Sequence, residues 1–242
     1  STSLHLAHDE LLKLALHDSL TRLPNRLLFA TRLEQRIQES HHSQRSFSLL
    51  FLDLDGFKII NDAHGHHTGD LLLAEVAARI TGLLGASDTA SRFGGDEFVL
   101  ALAPGDLSQT TAFAERLLAA LAQPYEWEHN SLHITASIGI AVYPQDGTSL
   151  HELTLNADAA MYYAKERGRN GYYCFDSAMN ANAHQQFLLQ QALHHALERE
   201  ELVLHYKPKY HARSGQVVGA EALLRWQHPE YGTISPARFL PL

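Results

Sequence analysis

The chain has 242 residues, of which 45% are hydrophobic and 19% charged, and its formal net charge is −8. That balance suits a soluble globular protein of one or two domains. It argues against a sequence-independent nucleic-acid binder, which needs a basic surface to release counterions, but a nucleotide substrate needs only a few local cations and a metal. One cysteine, Cys174, leaves no intrachain disulfide and fits a reducing cytosol. No apolar run is long enough to span a bilayer, so the expected location is cytoplasmic, with any membrane anchor of the parent protein in a missing N-terminal region. Ser1-Thr2-Ser3 and Phe239-Leu240-Pro241-Leu242 read as ends cut from something longer.

In chain order, Leu4 to Leu16 carries leucines at three- and four-residue spacing and predicts an amphipathic lead-in helix. Pro24 suits the first turn of a helix over Arg26 to Glu39. Phe47 to Leu54 is a nearly continuous apolar run, a buried strand. Helical spacing returns from Gly69 to Leu84. Phe93 to Leu102 reads as a hairpin turning at Gly94-Gly95. A helix follows over Ser108 to Ala122, capped by Ser108, then a strand over Leu132 to Val142. Leu150 to Arg167 predicts a helix closed by Gly168, and Tyr172 to Phe175 a last strand. The pattern is α+β, with helices covering one sheet. Gln185 to Arg199 reads as a helical connector, and a new strand opens at Leu202-Val203-Leu204. The expected organisation is a lead-in helix over 1–17, a domain over 18–177, a connector over 178–200 and the start of another domain over 201–242. His64, His66 and His67 form the densest group of the 17 histidines. With no cysteine beside them they read as a polar loop rather than a zinc site.

Asp53 closes the apolar strand, and a carboxylate there costs solvation unless a cation or donors compensate it. Taken singly, Asp53 and Asp55 read as turn caps and Gly94-Gly95 as a tight hairpin. A calcium loop starting at Asp53 fails, because Lys58 and His64 stand where an EF-hand needs glycine and glutamate.

Jointly the segments are specific. Asp53-Leu54-Asp55-Gly56-Phe57-Lys58, Asn61-Asp62, Gly65-His66 and Gly69-Asp70 stand in order, followed by Arg92-Phe93-Gly94-Gly95-Asp96-Glu97-Phe98. Asp18-Ser19-Leu20-Thr21-Arg22-Leu23-Pro24-Asn25-Arg26 precedes them, and Ala164-Lys165 with Gly168-Arg169-Asn170 follows. From Asp18 to Phe175 the chain thus resembles the GGDEF family of bacterial diguanylate cyclases, which condense two GTP into cyclic di-GMP. The resemblance implies a nucleotide-cyclase or palm-like (ferredoxin-like) domain with an antiparallel-rich central sheet.

It also implies roles. Asp53, Asp96 and the Leu54 carbonyl would hold two Mg²⁺ per active site, or Mn²⁺ in their place, with Glu97 supporting the cluster. Hard cations want oxygen ligands, which accounts for this donor set. Backbone N–H groups of Gly56 and Phe57, with Lys58, would receive the β- and γ-phosphates. Lys165 and Arg169, four apart on one helix face, would add phosphate donors. Asn61 and Asp70 would read guanine, whose N1–H and N2–H₂ face a carboxylate that adenine would leave unpaired. For Asp70 a helix N-cap is the plainer reading. Each domain resembles half an active site, so catalysis would need a homodimer. The lead-in helix could pair two chains or pack on its own domain.

Many members carry Arg-x-x-Asp ahead of the name motif as a product-inhibition site. Here the window is Gly85-Ala86-Ser87-Asp88, and glycine cannot grip a phosphate or guanine edge, so no product feedback is expected. The tail, Leu202 to Pro208 and Glu221-Ala222-Leu223-Leu224-Arg225-Trp226, resembles the opening of an EAL phosphodiesterase domain, a TIM-like barrel. There Glu221 would bind a metal and Arg225 the dinucleotide, while Lys207 replaces the usual glutamine. Only the first strands of a (β/α) barrel are present, so no hydrolysis of cyclic di-GMP is expected from this chain, and Leu202 to Leu204 should be buried against the first domain, against a partner chain, or poorly. The rest of that domain and an upstream sensor are the expected partners in the parent protein. The alternative is a GGDEF domain that only binds GTP and regulates an EAL-type phosphodiesterase.

Overall fold

The computed structural model describes residues 14–103, 106–127, 130–177, 179, 189, 192–193, 195–229 and 232–239. By contacts the chain divides into two compact units, Ser1–Met179 and Asn180–Leu242.

In the first unit, residues 14–16 are helical and lead to a bridge between His17 and Pro24; the rest of the expected lead-in helix lies outside the described residues. Helix α1 spans Arg26–Ser43. Its N-cap is Asn25, whose side chain accepts from Leu27 and Leu28 N–H, so Pro24 precedes the cap rather than sitting in the first turn. Strand β1 (Phe47–Asp55) leads into α2 (Phe57–His64) and α3 (His66–Leu83). Helix α2 escaped the sequence reading because Gly56 and Gly65 punctuate it closely on both sides. The histidines expected in a loop instead close α2 and open α3, and Asp70 lies inside α3, which excludes it as an N-cap.

Strands β2 (Thr89–Gly94) and β3 (Glu97–Leu102) form the expected hairpin. Helix α4 (Leu107–Leu121) is capped by Asp106, which accepts from Gln109 N–H, and not by Ser108. The strand expected from Leu132 is divided: β4 (Tyr125–Trp127) and β5 (Asn130–Leu132) pair separately, and β6 runs Thr135–Tyr143. Helix α5 (Leu150–Glu166) and strand β7 (Gly171–Cys174) complete the unit.

The five-stranded sheet has the order β2-β3-β1-β6-β7. β1 sits between two antiparallel neighbours, and β6 and β7 run parallel. The fold is α+β, a mixed sheet covered by helices on both faces. Alternation along β1 sends Leu50, Leu52 and Leu54 into one layer with Leu72, Leu73 and Val76 of α3 and Phe113 and Leu117 of α4. Phe47, Leu49 and Phe51 enter the other with Phe29 and Leu33 of α1 and Leu153, Ala157 and Met161 of α5. Helix α5 lies unusually close to the sheet. A Cβ on Gly139 of β6 would stand 1.9 Å from the Ala157 carbonyl oxygen and 2.2 Å from Met161 N.

The second unit contains β8 (Leu202–Tyr210), β9 (Val217–His228) and β10 (Gly232–Ile234), in the order β10-β9-β8, and a turn of helix, α6 (Pro236–Phe239). Its small core gathers Leu189, Ala196, Trp226, Ile234 and Phe239, and the Trp226 indole donates to buried Glu201 at 2.9 Å. Leu202 and Val203 are half-buried, whereas Leu204 stays exposed, which agrees with poor burial, one of the expected outcomes. Among the described residues no helix is long and apolar enough to cross a membrane.

Because the obstruction at Gly139 is backbone, Gly139→Ala should force β6 and α5 apart and cost about 1–3 kcal/mol. Urea unfolding of the two proteins measures the loss.

Candidate active site

Asp53 shares the parity of Phe51, so its side chain faces the α1–α5 layer at the end of β1, 8% exposed. In register it stands opposite Glu97 of β3 and Ser137 of β6. Two carboxylates facing each other across an antiparallel pair repel. Both titrate above the ordinary carboxylate range. For Asp53, burial comes first, and Asp96 and Asp55 add to it while Lys165 opposes. For Glu97, burial is again largest, followed by Asp53, Asp158 and Asp96. Burial also raises Asp158 on α5. The cation that meets this charge is Lys165, in the last turn of α5, whose Nζ lies 2.9 Å from Asp53 Oδ1.

The β2–β3 hairpin is pinned from two sides. Gly94 and Gly95 take φ of 146° and 54°, conformations that glycine adopts without a Cβ penalty. Arg92 donates from Nε and Nη2 to the Gly95 carbonyl at 3.0 and 2.8 Å, and from Nη1 to both oxygens of Asp18 at 3.2 Å. Phe93 packs edge-on against Phe29 and Phe51 beneath the Arg26 guanidinium. The Leu54 N–H donates to the Asp96 carbonyl at 3.3 Å, drawing the turn against the end of β1.

Asp55, one strand step beyond Asp53 on the same face, is fully engaged. It accepts from Thr135 and Ser137 hydroxyls at 2.7 Å each and from Asn170 N–H at 3.1 Å. These bonds tie the loop after α5 to the sheet. Arg169 lies in that loop with φ of 62°, past the end of α5. The expectation that Lys165 and Arg169 share a helix face is therefore wrong: Gly168, at φ 116°, breaks the helical spacing first. Lys165 faces Asp53, and Arg169 is exposed on the loop.

At the other side of β1, Gly56 precedes α2 with φ of 76°, and no side chain caps the helix. The N–H groups of its first turn point outward from a helix N-terminus, a natural anion site, with Lys58 exposed beside them. Asn61 of α2 lies against Gly69 of α3; a Cβ there would stand 1.9 Å from Asn61 Oδ1. That oxygen is buried and has no hydrogen-bond partner among the described residues. Leaving an acceptor unsatisfied costs about 1–3 kcal/mol. Asp70, the next residue after Gly69, is exposed rather than buried, so its discrimination would come from direct pairing alone.

Among the described residues no three Asp, Glu, His or Cys side chains converge into a metal cage. The expected donors, Asp53, Asp96 and the Leu54 backbone, lie instead at the mouth of the hairpin. Such a set fits Mg²⁺, which keeps several waters and shares its remaining positions with substrate phosphates. A groove of about 810 Å³ runs between α1 and α5 from Phe93 and Glu97 to Asp158 and His151. None of Asp53, Gly56, Lys58, Asn61 or Asp70 lines it.

Sequence reading missed Asp158 and the Asp18–Arg92 pair. Asp158 stands seven residues before Lys165, two helical turns on one face, a spacing that could have revealed it. In the second unit, Glu221 and Lys207 are register partners across β8 and β9, both exposed, and Arg225 donates to the Leu224 carbonyl.

The model of the family described as "Diguanylate cyclase, GGDEF domain" matches residues 15–171, and that of the EAL domain matches residues 190–242. The chain belongs to the GGDEF family. The bifunctional diguanylate cyclase/cyclic di-GMP phosphodiesterase MucR of Pseudomonas aeruginosa is 55% identical over all of this chain and 35% of its own length. The cyclic di-GMP phosphodiesterase NbdA of the same organism is 39% identical over 98% of this chain and 30% of its own length. The chain thus spans about a third of the curated relatives it matches. A solved GGDEF domain of TpbB (YfiN), also from P. aeruginosa, aligns with a TM-score of 0.68 at 35% identity, covering 69% of this chain and 99% of that one.

In this GGDEF domain the Asp18–Arg92 pair carries a pH signature. Burial pushes Asp18 up, but Thr21 and Arg92 outweigh it and hold the carboxyl below its ordinary value. A depressed carboxyl stabilises the fold above the unfolded value and loses that contribution as pH falls through the folded one. Asp18→Asn should therefore cost about 1 kcal/mol at neutral pH. In thermal melts the gap between the two proteins should close as the pH falls below 3.8, the ordinary Asp value.

Proposed function

We propose that the GGDEF domain condenses two GTP into cyclic di-GMP with release of two pyrophosphates, and that it does so as a homodimer. The observation that carries this reading is the junction of β1 and the hairpin, where Asp53 is buried opposite Glu97 and the Asp96 turn is bonded to Leu54. Divalent cations, two Mg²⁺ per site in this reading with Mn²⁺ able to replace them, would stabilise the attacking and leaving oxygens of an in-line phosphoryl displacement. Asp53, Asp96 and the Leu54 carbonyl would hold them, and Glu97 would keep the cluster anionic. The Gly56 and Phe57 N–H groups with Lys58 would seat the β- and γ-phosphates at the start of α2. Lys165 and Arg169 would reach them from two elements, the end of α5 and the loop that Asp55 anchors. Asn61 would accept from the guanine edge with its partnerless oxygen, alongside Asp70.

One GTP per domain presents its 3′-oxygen outward, so the α-phosphate it attacks belongs to the nucleotide of a second copy. Several features support weak product feedback. Asp88 is spent on its own loop, accepting from Gly85 N–H at 2.7 Å and Ala103 N–H at 2.6 Å, and Gly85 supplies no cation. A structure of the DgcB coiled coil and GGDEF domain from Caulobacter crescentus is a complex with c-di-GMP, at 28% identity and a TM-score of 0.66, which supports the same ligand class here.

A second reading follows from the relatives named as phosphodiesterases, NbdA and PdeR: the domain binds GTP and regulates an EAL partner without turnover. In that case Glu221 and Arg225 belong to the metal and dinucleotide site of the larger EAL domain.

Chromatography of the products formed from GTP and Mg²⁺ separates the two readings. Cyclic di-GMP should appear, at a rate that rises more than linearly with enzyme concentration. Asp96→Ala should lower it by about a hundredfold or more while leaving the urea midpoint in place; GTP binding without product would favour the regulatory reading. Base choice is tested by calorimetry with GTP and ATP. Asn61→Ala and Asp70→Ala should each weaken GTP and leave ATP little changed, narrowing the ratio between them by about tenfold or more.

A further inference from the structure

We infer that Lys165 is an internal counter-ion that closes the metal position at Asp53, so that divalent metal enters with the nucleotide rather than ahead of it. The inference rests on the two-metal reading above and adds an order of binding to it.

The Lys165 ammonium occupies Asp53 Oδ1 at 2.9 Å, and the carboxylate beneath it is 12% exposed. Mg²⁺ binds a carboxylate oxygen at about 2.0–2.1 Å, so the two cations compete for one small region, and their mutual repulsion in a half-buried site is large. A free metal ion must therefore displace the ammonium from its one direct carboxylate contact, leaving it only the longer-range attraction of Glu97 and Asp158. Asp55 is already engaged by Thr135, Ser137 and Asn170. Nucleotide changes this balance, because triphosphate oxygens offer the ammonium a second anion while they ligate the metal.

The lysine has to leave by rotation of its own stem. Helix α5 is held on the sheet by the burial of Leu153, Ala157 and Met161 in the core. A four-carbon side chain with a point charge at its tip suits that motion, and a lysine gives up one partner for another more readily than a bidentate arginine. The contact with Asp53 and the phosphate role are thus alternative positions of one group.

The test is Mn²⁺ binding followed by electron paramagnetic resonance, with Mn²⁺ alone and with a non-hydrolysable GTP analogue. In wild type, Mn²⁺ alone should bind weakly and the analogue should tighten it. Lys165→Met should bind Mn²⁺ alone about tenfold tighter, one opposing charge having been removed, and bind the analogue more weakly. Lys165→Arg should behave like wild type towards Mn²⁺ alone, which separates charge from packing. Asp53→Asn combined with Lys165→Met should lose the gain. Lys165→Gln serves in place of Lys165→Met if melting shows that the latter is unfolded. Equal affinity of wild type and both neutral variants for Mn²⁺ alone overturns the counter-ion role, while Mn²⁺ uptake with the analogue leaves the two-metal reading standing. No uptake by any of the proteins, even with the analogue, overturns both.

Discussion

A carboxylate buried at the end of a hydrophobic strand governs the first unit. Asp53 is placed there by the alternation of β1, which also sets Glu97 directly across from it. Burial raises the proton affinity of both carboxylates, and Asp53 raises that of Glu97 further. The site therefore needs positive charge, and the fold delivers it from α5. The approach of α5 is in turn made by Gly139, whose missing side chain lets helix backbone touch strand backbone.

Around this cluster the remaining bonds serve to hold loops still. Arg92 ties the hairpin turn to Asp18, and Asp55 ties the loop after α5 to β6. Both contacts join segments distant in sequence, and both end beside residues proposed to meet metal or phosphate. The aromatic packing of Phe93 against Phe29 and Phe51 supplies apolar support under the same turn.

Most of the α+β order was legible because β1, α3, α4 and α5 are long and strongly patterned. Helix α2 was not, since eight residues between two glycines carry too little periodicity to register. The separate β4–β5 ribbon was hidden because its three-residue strands resemble loop. The motifs singled out Asp53, Asp96 and Glu97, which the fold brings to one end of β1, but not Asp158. The position of Arg169 was not legible, because counting four residues assumes that the helix continues through Gly168, and a positive φ there ends it. Nor could spacing show that Asp70 is exposed while Asn61 is packed on Gly69, a fact that depends on the angle between α2 and α3. Asp18 and Arg92 are 74 residues apart, beyond the reach of any local pattern.

The alternation that sets Asp53 against Glu97 makes the site a matter of counting as much as of chemistry. Phe47, Leu49 and Phe51 fix which steps of β1 face α5, and Asp53 is the next odd step. One residue added or removed ahead of it would send the carboxylate toward Leu72 and Val76 and bring an apolar side chain to the mouth of the hairpin. Substitutions along β1 can be absorbed by repacking, but a single insertion cannot. In this fold the distance in residues from the start of β1 to its acidic end is therefore under tighter constraint than the identity of the residues between.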